Sequence, residues 1–115
     1  ILHQAGVKFC IANDGSASSE RNLPYQAAAA ASHGLPKDVA LKSITLQAAE
    51  ILGVSDRLGS IDEGKDATLI ITDGDPLEIP TQVESAYIQG RKVDLSSRHT
   101  RLFEKYKRRY QGAEK

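Results

Sequence analysis

Residues 57–77, which read RLGSIDEGKDATLIITDGDPL, carry the clearest structural signal in the chain. Two extended runs, residues 58–61 and 67–73, are bounded by turns rich in Gly and Asp. A third extended run covers residues 83–88, and Gly90 behind it predicts a tight hairpin or a short bend. The middle of the chain is therefore predicted to be β structure.

Two helices are predicted on the N-terminal side of this β region. An alanine-rich stretch at residues 25–33 ends at Gly34, and Asn22 is its candidate N-cap. Apolar residues at helical spacing then predict a single helix that runs from about Lys37 to Gly53. Helical periodicity therefore gives way to extended periodicity at this glycine.

The first apolar run, residues 7–12, reads as a short buried strand that a turn-prone cluster closes. Cys10 lies inside this run, which predicts a buried, unreactive thiol and not a nucleophile. A lone strand followed by a helix is half of a βα unit, and parallel strands need neighbours that this sequence does not supply. Residues 1–53 therefore read as the end of an α/β domain.

The last part of the chain predicts an amphipathic helix at residues 98–110. Residues 98–115 hold seven Lys or Arg and two Glu, a net charge of +5, so residues 1–97 of this neutral chain carry −5. Nucleic acid is one partner for such a helix, but no aromatic residue is interleaved on its basic face. Docking on its own acidic body or on a partner subunit is favoured. Its apolar side consists of Leu102, Phe103, Tyr106 and Tyr110.

The composition is that of an ordinary globular chain, since 40% of its 115 residues are apolar and 15 basic residues balance 15 acidic ones. Wholesale disorder is excluded. No apolar run has the roughly 18 to 20 residues that cross a bilayer, and no signal peptide is recognisable. One cysteine excludes an internal disulfide framework and leaves the compartment undetermined. The chain contains no methionine, so it lacks its own initiator residue. We expect either that a segment before Ile1 was removed by processing or that the chain is an internal fragment of a longer protein.

Several motifs imitate ligand sites but lack the necessary partners. Residues 59–65 have the G-x-x-x-x-G-K spacing of a phosphate-binding loop, yet Asp66 stands where such a loop needs a hydroxyl. Asp73 and Asp75 lack the further ligands of a calcium loop. Both segments are interpreted as turns. The histidines have no metal-site spacing and are interpreted as surface or capping residues: His3, His33 and His99.

Asp14 has the most suggestive position of the acidic residues. It follows the apolar run at residues 7–12 and precedes a polar loop that leads into a helix. In α/β barrels, catalytic groups stand at such strand ends. Asp14 is followed by Gly15, which equally supports a plain turn, and both interpretations remain open from position alone.

The order of three stretches carries a family resemblance: residues 6–14, residues 40–54, and residues 57–77 followed by IQGR at 88–91. The third is the most specific, because it joins Leu-Gly-Ser, Gly-Lys-Asp-Ala and Asp-Gly-Asp-Pro in one succession. Together they resemble the C-terminal end of the amidohydrolase superfamily, especially its imidazolonepropionase-like and prolidase-like metal-dependent hydrolases. The likeness covers about residues 5–95.

The resemblance implies an α/β fragment of a larger enzyme. Residues 1–53 would be the last strand and helices of a (β/α)8 barrel, which as a whole needs about 250 residues. Residues 54–97 would be the C-terminal strands of a small β-sandwich, and residues 98–115 a basic amphipathic helix and tail. The implied activity is hydrolysis of an amide or cyclic-amide C–N bond by metal-activated water.

The resemblance also assigns individual residues. Asp14 matches the family's carboxylate that binds a divalent metal, commonly zinc, and accepts a proton from the attacking water. Arg21 and Asn22, in the loop that follows, are candidate contacts for a small-molecule or peptide-like substrate. The other metal ligands have no counterpart here, so the chain alone is expected to be inactive and to bind metal poorly.

The resemblance makes the missing N-terminal part of the same protein the expected partner. The unpaired first strand and the incomplete sandwich leave exposed edges, which predict association with that part or self-association. Neither a membrane nor a nucleic acid is an expected partner.

Two other functions remain open. A free-standing interaction module would use the basic helix to bind an acidic protein or nucleic acid, and its binding would be strongly salt-dependent. A degenerate relative kept as a scaffold would have lost metal ligands upstream.

Overall fold

The structure is a computed structural model that describes residues 1–13, 15 and 17–111. A 3₁₀ helix at Ala17–Asn22 leads into three short helices: α1 (Leu23–Ser32), α2 (Lys37–Ser43) and α3 (Leu46–Ile51). The sheet and the last helix follow as β1 (Leu69–Thr72), β2 (Val83–Ile88), β3 (Arg91–Val93) and α4 (Arg98–Gln111). The described chain is thus an α/β arrangement with one small sheet. None of its helices in these ranges has the length and apolar character to cross a membrane.

The single helix predicted over residues 37–53 is wrong, because the structure divides it into α2 and α3. The Ser43 hydroxyl donates a 2.7 Å hydrogen bond to the carbonyl three residues earlier, and the Thr45 hydroxyl donates one of 2.8 Å to the carbonyl four residues earlier. Such side-chain bonds compete with the backbone ladder of a helix. The break leaves the Ser43 carbonyl to accept a 3.1 Å hydrogen bond from the Ile11 amide.

The apolar run at residues 7–12 belongs to no sheet in the described part of the chain, so the predicted strand is not formed there. The run is instead tied to the helices, by the Ile11 bond and by a 2.9 Å ion pair between Lys8 and Glu50. The prediction of a buried Cys10 is wrong as well, since its side chain is exposed. Without neighbouring strands, only one side of the run is covered.

The sheet is antiparallel with the order β1-β2-β3. β2 has the predicted bounds, and the predicted hairpin is confirmed as a two-residue turn, Gln89-Gly90, in which both residues have positive φ. β1 is shorter than predicted, and a bulge interrupts its pairing with β2 between Ile71 and Thr72. The strand predicted at residues 58–61 is absent because the chain turns there, around Gly59.

The sheet region and the helices meet in one small apolar core. Leu77, in the loop after β1, is only 4% exposed and packs with Ala27 of α1 and Ala40 of α2, which are fully buried. Partly buried apolar residues surround this group: Ile11, Ala28, Ala31, Leu35 and Ile44. One side chain from the second half of the chain therefore completes the core of the first half.

Replacing Leu77 by alanine is expected to lower the free energy of unfolding by about 2 to 4 kcal/mol, because buried apolar atoms are lost and a cavity remains. Ile79→Ala provides a matched control, since Ile79 is 77% exposed and its truncation should change stability by less than about 0.5 kcal/mol. Urea denaturation measures both. Equal losses in the two variants would contradict the role of Leu77 in the core.

Helix α4 forms where the sequence predicts it. Of the two expected docking sites, its own body is not contacted in the described part of the chain, and docking on a partner subunit stays a prediction. Among the residues that the structure describes, α4 contacts no other helix or strand, and all of its residues are exposed. Local hydrogen bonds fix its start instead. The Ser97 hydroxyl accepts from the Thr100 amide at 3.2 Å, and the Thr100 hydroxyl accepts from the Ser97 amide at 2.8 Å, as in a capping box.

Candidate functional site

Asp14, the predicted metal ligand, lies outside the described residues, but the residue before it is held firmly. The side-chain amide of Asn13 donates a hydrogen bond to the Ser19 carbonyl in the 3₁₀ helix. Two residues earlier, Ile11 is bonded to Ser43. The extended segment that leads to Asp14 is thus fixed to the helices along one side and to the following loop at its end.

Arg21 and Asn22, the predicted substrate contacts, lie together at the end of the 3₁₀ helix, and both are exposed. Asn22 occupies the N-cap position of α1, as predicted, but its side chain makes no capping hydrogen bond. Its φ and ψ of −88° and 0° are helical, whereas a capping residue normally adopts an extended conformation. Both polar side chains are therefore open to solvent, and their contact with a substrate stays a prediction.

The described residues do not assemble a metal site by themselves. Within residues 1–13, 15 and 17–111, no three His, Cys, Asp or Glu side chains lie close enough to hold a metal ion. His33 caps α1 by donating a 2.8 Å hydrogen bond from Nδ1 to the Ala29 carbonyl, in agreement with its interpretation as a capping residue. A metal bound by Asp14 would need its other ligands from elsewhere.

The loop that imitates a phosphate-binding site is closed by its own side chains. The Lys65 ammonium donates a 2.6 Å hydrogen bond to the Ser60 hydroxyl and lies 3.4 Å from a carboxylate oxygen of Asp62. The Ser60 hydroxyl and then Lys65 hold the pKa of Asp62 below its ordinary value. The positive charge that a phosphate would need is thus already neutralised, in agreement with the interpretation as a turn.

The two aspartates of the Asp-Gly-Asp-Pro loop also have structural partners. Asp73 accepts a 2.7 Å hydrogen bond from the Gln82 amide, which closes the loop between β1 and β2. Asp75 accepts a 2.9 Å bond from the Leu77 amide and lies 2.8 Å from the Lys37 ammonium. The Asp75 carboxylate thus fixes the backbone at Leu77, and the interpretation of the segment as a turn holds.

Lys37 is the important residue that sequence reasoning missed. Its ammonium lies 2.8 Å from both Asp75 and Glu78, so it joins the start of α2 to the loop after β1. The only signal in the sequence was a lysine at a helix start, where a negative side chain is the more favourable choice. Nothing local could indicate the partner, because Lys37 and Glu78 are 41 residues apart.

The pairing of Lys37 with Asp75 predicts a pH-dependent contribution to stability. The side-chain hydrogen bond from Lys37, and then the Leu77 amide, hold the pKa of Asp75 below its ordinary value. A depressed carboxyl pKa stabilises the fold above the unfolded value of about 3.9, and this contribution is lost as the pH falls through the lower folded-state pKa.

Urea denaturation of the wild type and of Asp75→Asn should therefore give different midpoints near neutral pH that converge in strong acid. Asp56→Asn, which replaces an exposed carboxylate outside this pairing, is the control and should leave the midpoint near neutral pH unchanged. A difference between wild type and Asp75→Asn that stays constant down to about pH 2 would contradict the assignment.

Comparison with known proteins identifies the family. Residues 1–98 match the amidohydrolase family. The amidohydrolase tasK of Hapsidospora irregularis is 31% identical in an alignment of 106 residues that covers 88% of this chain and 11% of that protein. The crystal structure of an amidohydrolase from Thermotoga maritima MSB8 superposes with a TM-score of 0.77 and 36% identity, over 81% of this chain and 24% of that chain. The crystal structure of an uncharacterized protein superposes with a TM-score of 0.67 and 29% identity, over 80% of this chain and 24% of that chain.

Each comparison covers most of this chain but only a small part of the relative. This chain spans about a tenth of the length of the curated relative and about a quarter of each solved chain. The family match takes in α1 to α3, the sheet and the segment before Asp14, and it ends at the first residue of α4. With residues 1–98 matched, the chain belongs to the amidohydrolase family.

Proposed function

We propose that this chain is the C-terminal portion of a metal-dependent amidohydrolase that cleaves an amide or cyclic-amide C–N bond. The observation that carries the proposal is the combination of a family match over residues 1–98 with coverage of only 24% of the Thermotoga maritima amidohydrolase. The remaining strands of a barrel and the other metal ligands would then belong to a preceding part of the same protein. In this proposal the end of the barrel is residues 1–53 and the sandwich strands are residues 54–97. The C-terminal helix and tail are residues 98–115.

Asp14 is the proposed catalytic carboxylate and metal ligand. Support comes from its place in the sequence directly after the segment that Ile11 and Asn13 tie by hydrogen bonds to α2 and to the 3₁₀ helix. A divalent metal, zinc by resemblance, lowers the pKa of bound water toward 7 when present. The Asp14 carboxylate would take up a proton from the attacking water and release it to the leaving nitrogen.

Arg21 and Asn22 are the proposed substrate contacts of this chain. Both lie one 3₁₀ helix beyond Asp14, and their exposed side chains make them accessible to a ligand. A guanidinium donates in a planar fork that fits a carboxylate or carbonyl oxygen, and an amide both donates and accepts. This pair suits a small-molecule or peptide-like substrate with polar groups beside the scissile bond.

The DNA sequence upstream of the Ile1 codon tests the proposal without assuming any substrate. A long open reading frame that encodes an H-x-H pair and later histidines is the expected result. A start codon directly before Ile1 would overturn the proposal.

Zinc binding provides an independent check. Equilibrium dialysis should show no stoichiometric zinc on the 115-residue chain and at least one zinc on the longer protein. Tight binding to the chain alone would show that its metal ligands are all present here, against the proposal.

A further inference from the structure

Helix α4 presents an apolar surface that no other helix or strand covers among residues 1–13, 15 and 17–111. We call it the aromatic stripe; it consists of Leu102, Phe103, Tyr106 and Tyr110. Phe103 is 63% exposed and Tyr110 is 76% exposed. In the described ranges α4 contacts no other helix or strand, and the family match ends where it begins. The helix is therefore an element additional to the matched fold.

Basic side chains border the aromatic stripe and fill the opposite side of the helix. The Lys107 ammonium lies 5.7 Å from the centre of the Phe103 ring, and the Arg109 guanidinium lies 5.6 Å from that of Tyr106. Further cations continue around the helix: Arg98, Arg101, Lys105 and Arg108. An occupant of the stripe must therefore offer an apolar contact surrounded by negative charge.

The start of α4 is already ordered before any partner binds. The reciprocal bonds between Ser97 and Thr100 satisfy amide groups that would otherwise be free at the start of the helix. Asp94 accepts hydrogen bonds from the amide and hydroxyl of Ser96, which shape the linker before the helix. Docking therefore requires little further ordering of the chain at the start of α4, and the loss of conformational entropy there is small.

We propose that α4 docks on the acidic body, residues 1–97, of a second copy of this chain. The charges decide between the possible occupants, because residues 98–115 carry +5 and residues 1–97 carry −5. A nucleic acid or an anionic membrane would attract the helix but repel the body, whereas a second copy attracts both. Reciprocal exchange of two helices also gives a closed, symmetric dimer.

The body combines exposed apolar side chains with acids, as the aromatic stripe requires. Ile61 is 84% exposed and lies two residues before Glu63, and Leu52 is 75% exposed and lies four residues before Asp56. A 14-residue helix is about 21 Å long, so two reciprocal contacts bury an area on the order of 800 Å². An interface of this size is small, which predicts weak, salt-sensitive dimerisation.

Sedimentation equilibrium of the 115-residue chain over a concentration series tests the proposal. The wild type should dimerise at low salt, and raising the salt from about 0.05 M to about 0.5 M should weaken dimerisation by about tenfold or more. The double variant Phe103→Gln/Tyr106→Gln should weaken it by at least about tenfold, while helix content measured by circular dichroism is retained. Gln111→Ala, outside the stripe, should behave as the wild type.

Three results would overturn the proposal. One is a wild type that stays monomeric at every concentration. Another is undiminished association of the double variant, which would place the contact at the exposed sheet edges. The third is binding of α4 to phosphatidylglycerol vesicles or duplex DNA without self-association. The experiment does not depend on the proposed hydrolase function, since it uses no substrate and no metal.

Discussion

Replacing Asp14 by asparagine in the proposed longer protein is expected to lower kcat for amide hydrolysis by roughly 10²- to 10⁴-fold. Asparagine keeps the shape of the side chain but accepts no proton and carries no negative charge. The loss should fall on kcat more than on KM, because the carboxylate acts on the attacking water and not on substrate binding. Steady-state kinetics with a purified amide substrate measures it.

Asp56→Asn is the matched control for this experiment, since Asp56 is an exposed carboxylate in the turns after α3. Its activity should equal that of the wild type. If Asp14→Asn retained full activity, the catalytic assignment would be wrong. Metal analysis of both variants separates loss of the metal from loss of the proton acceptor.

The second large effect is expected from Gly59→Ala, which should lower the free energy of unfolding by about 3 kcal/mol or more. Gly59 has φ of +92°, and a Cβ there would lie 2.7 Å from Cβ of Ala49 and 2.9 Å from the backbone Cα of Leu46. Neither α3 atom belongs to a flexible side-chain end that could move aside. The turn and the helix would have to separate.

Gly64→Ala separates this close approach from the cost of the backbone conformation alone. Gly64 has a similar φ of +85°, but a Cβ there would meet nothing within 4 Å. We expect a loss of about 1 to 2 kcal/mol for this variant. Urea denaturation of the two variants in parallel gives the difference, and equal losses would show that Gly59 does not hold the turn against α3.

Predictions from local sequence were most accurate for the sheet. β2 was predicted at residues 83–88 and the hairpin at Gly90, because an extended run followed by a turn residue is a local signal. The position of α4 was equally well indicated by its helical spacing of aromatic residues. Each of these elements is specified by its own few residues.

Segments in which other interactions compete with the periodic pattern were predicted less well. Apolar spacing continues through residues 37–53, but the hydroxyl groups of Ser43 and Thr45 divide the helix by bonding to backbone carbonyls. Residues 58–61 have strand-like composition, yet Gly59 packs against α3 and bends the chain. Periodicity alone could not reveal either competing interaction.

The candidate site was predictable only in part. The position of Asp14 after an apolar run is a local feature, and the resemblance added its role. The exposure of Cys10 and the absence of docking by α4 depend on which surfaces meet, and sequence periodicity does not specify that. The link from Lys37 to Asp75 likewise became visible only in three dimensions.

The late position of Leu77 in the chain has a consequence for folding during synthesis. Ala27 and Ala40 leave the ribosome first, and at about 5 to 20 residues per second the chain needs roughly 2 to 7 s more to reach Leu77. During that interval the helices lack the side chain that completes their core. Closing the loop of 37 residues from Ala40 to Leu77 costs about 3 kcal/mol of chain entropy, so this core contact is expected to form later than the local contacts between the helices.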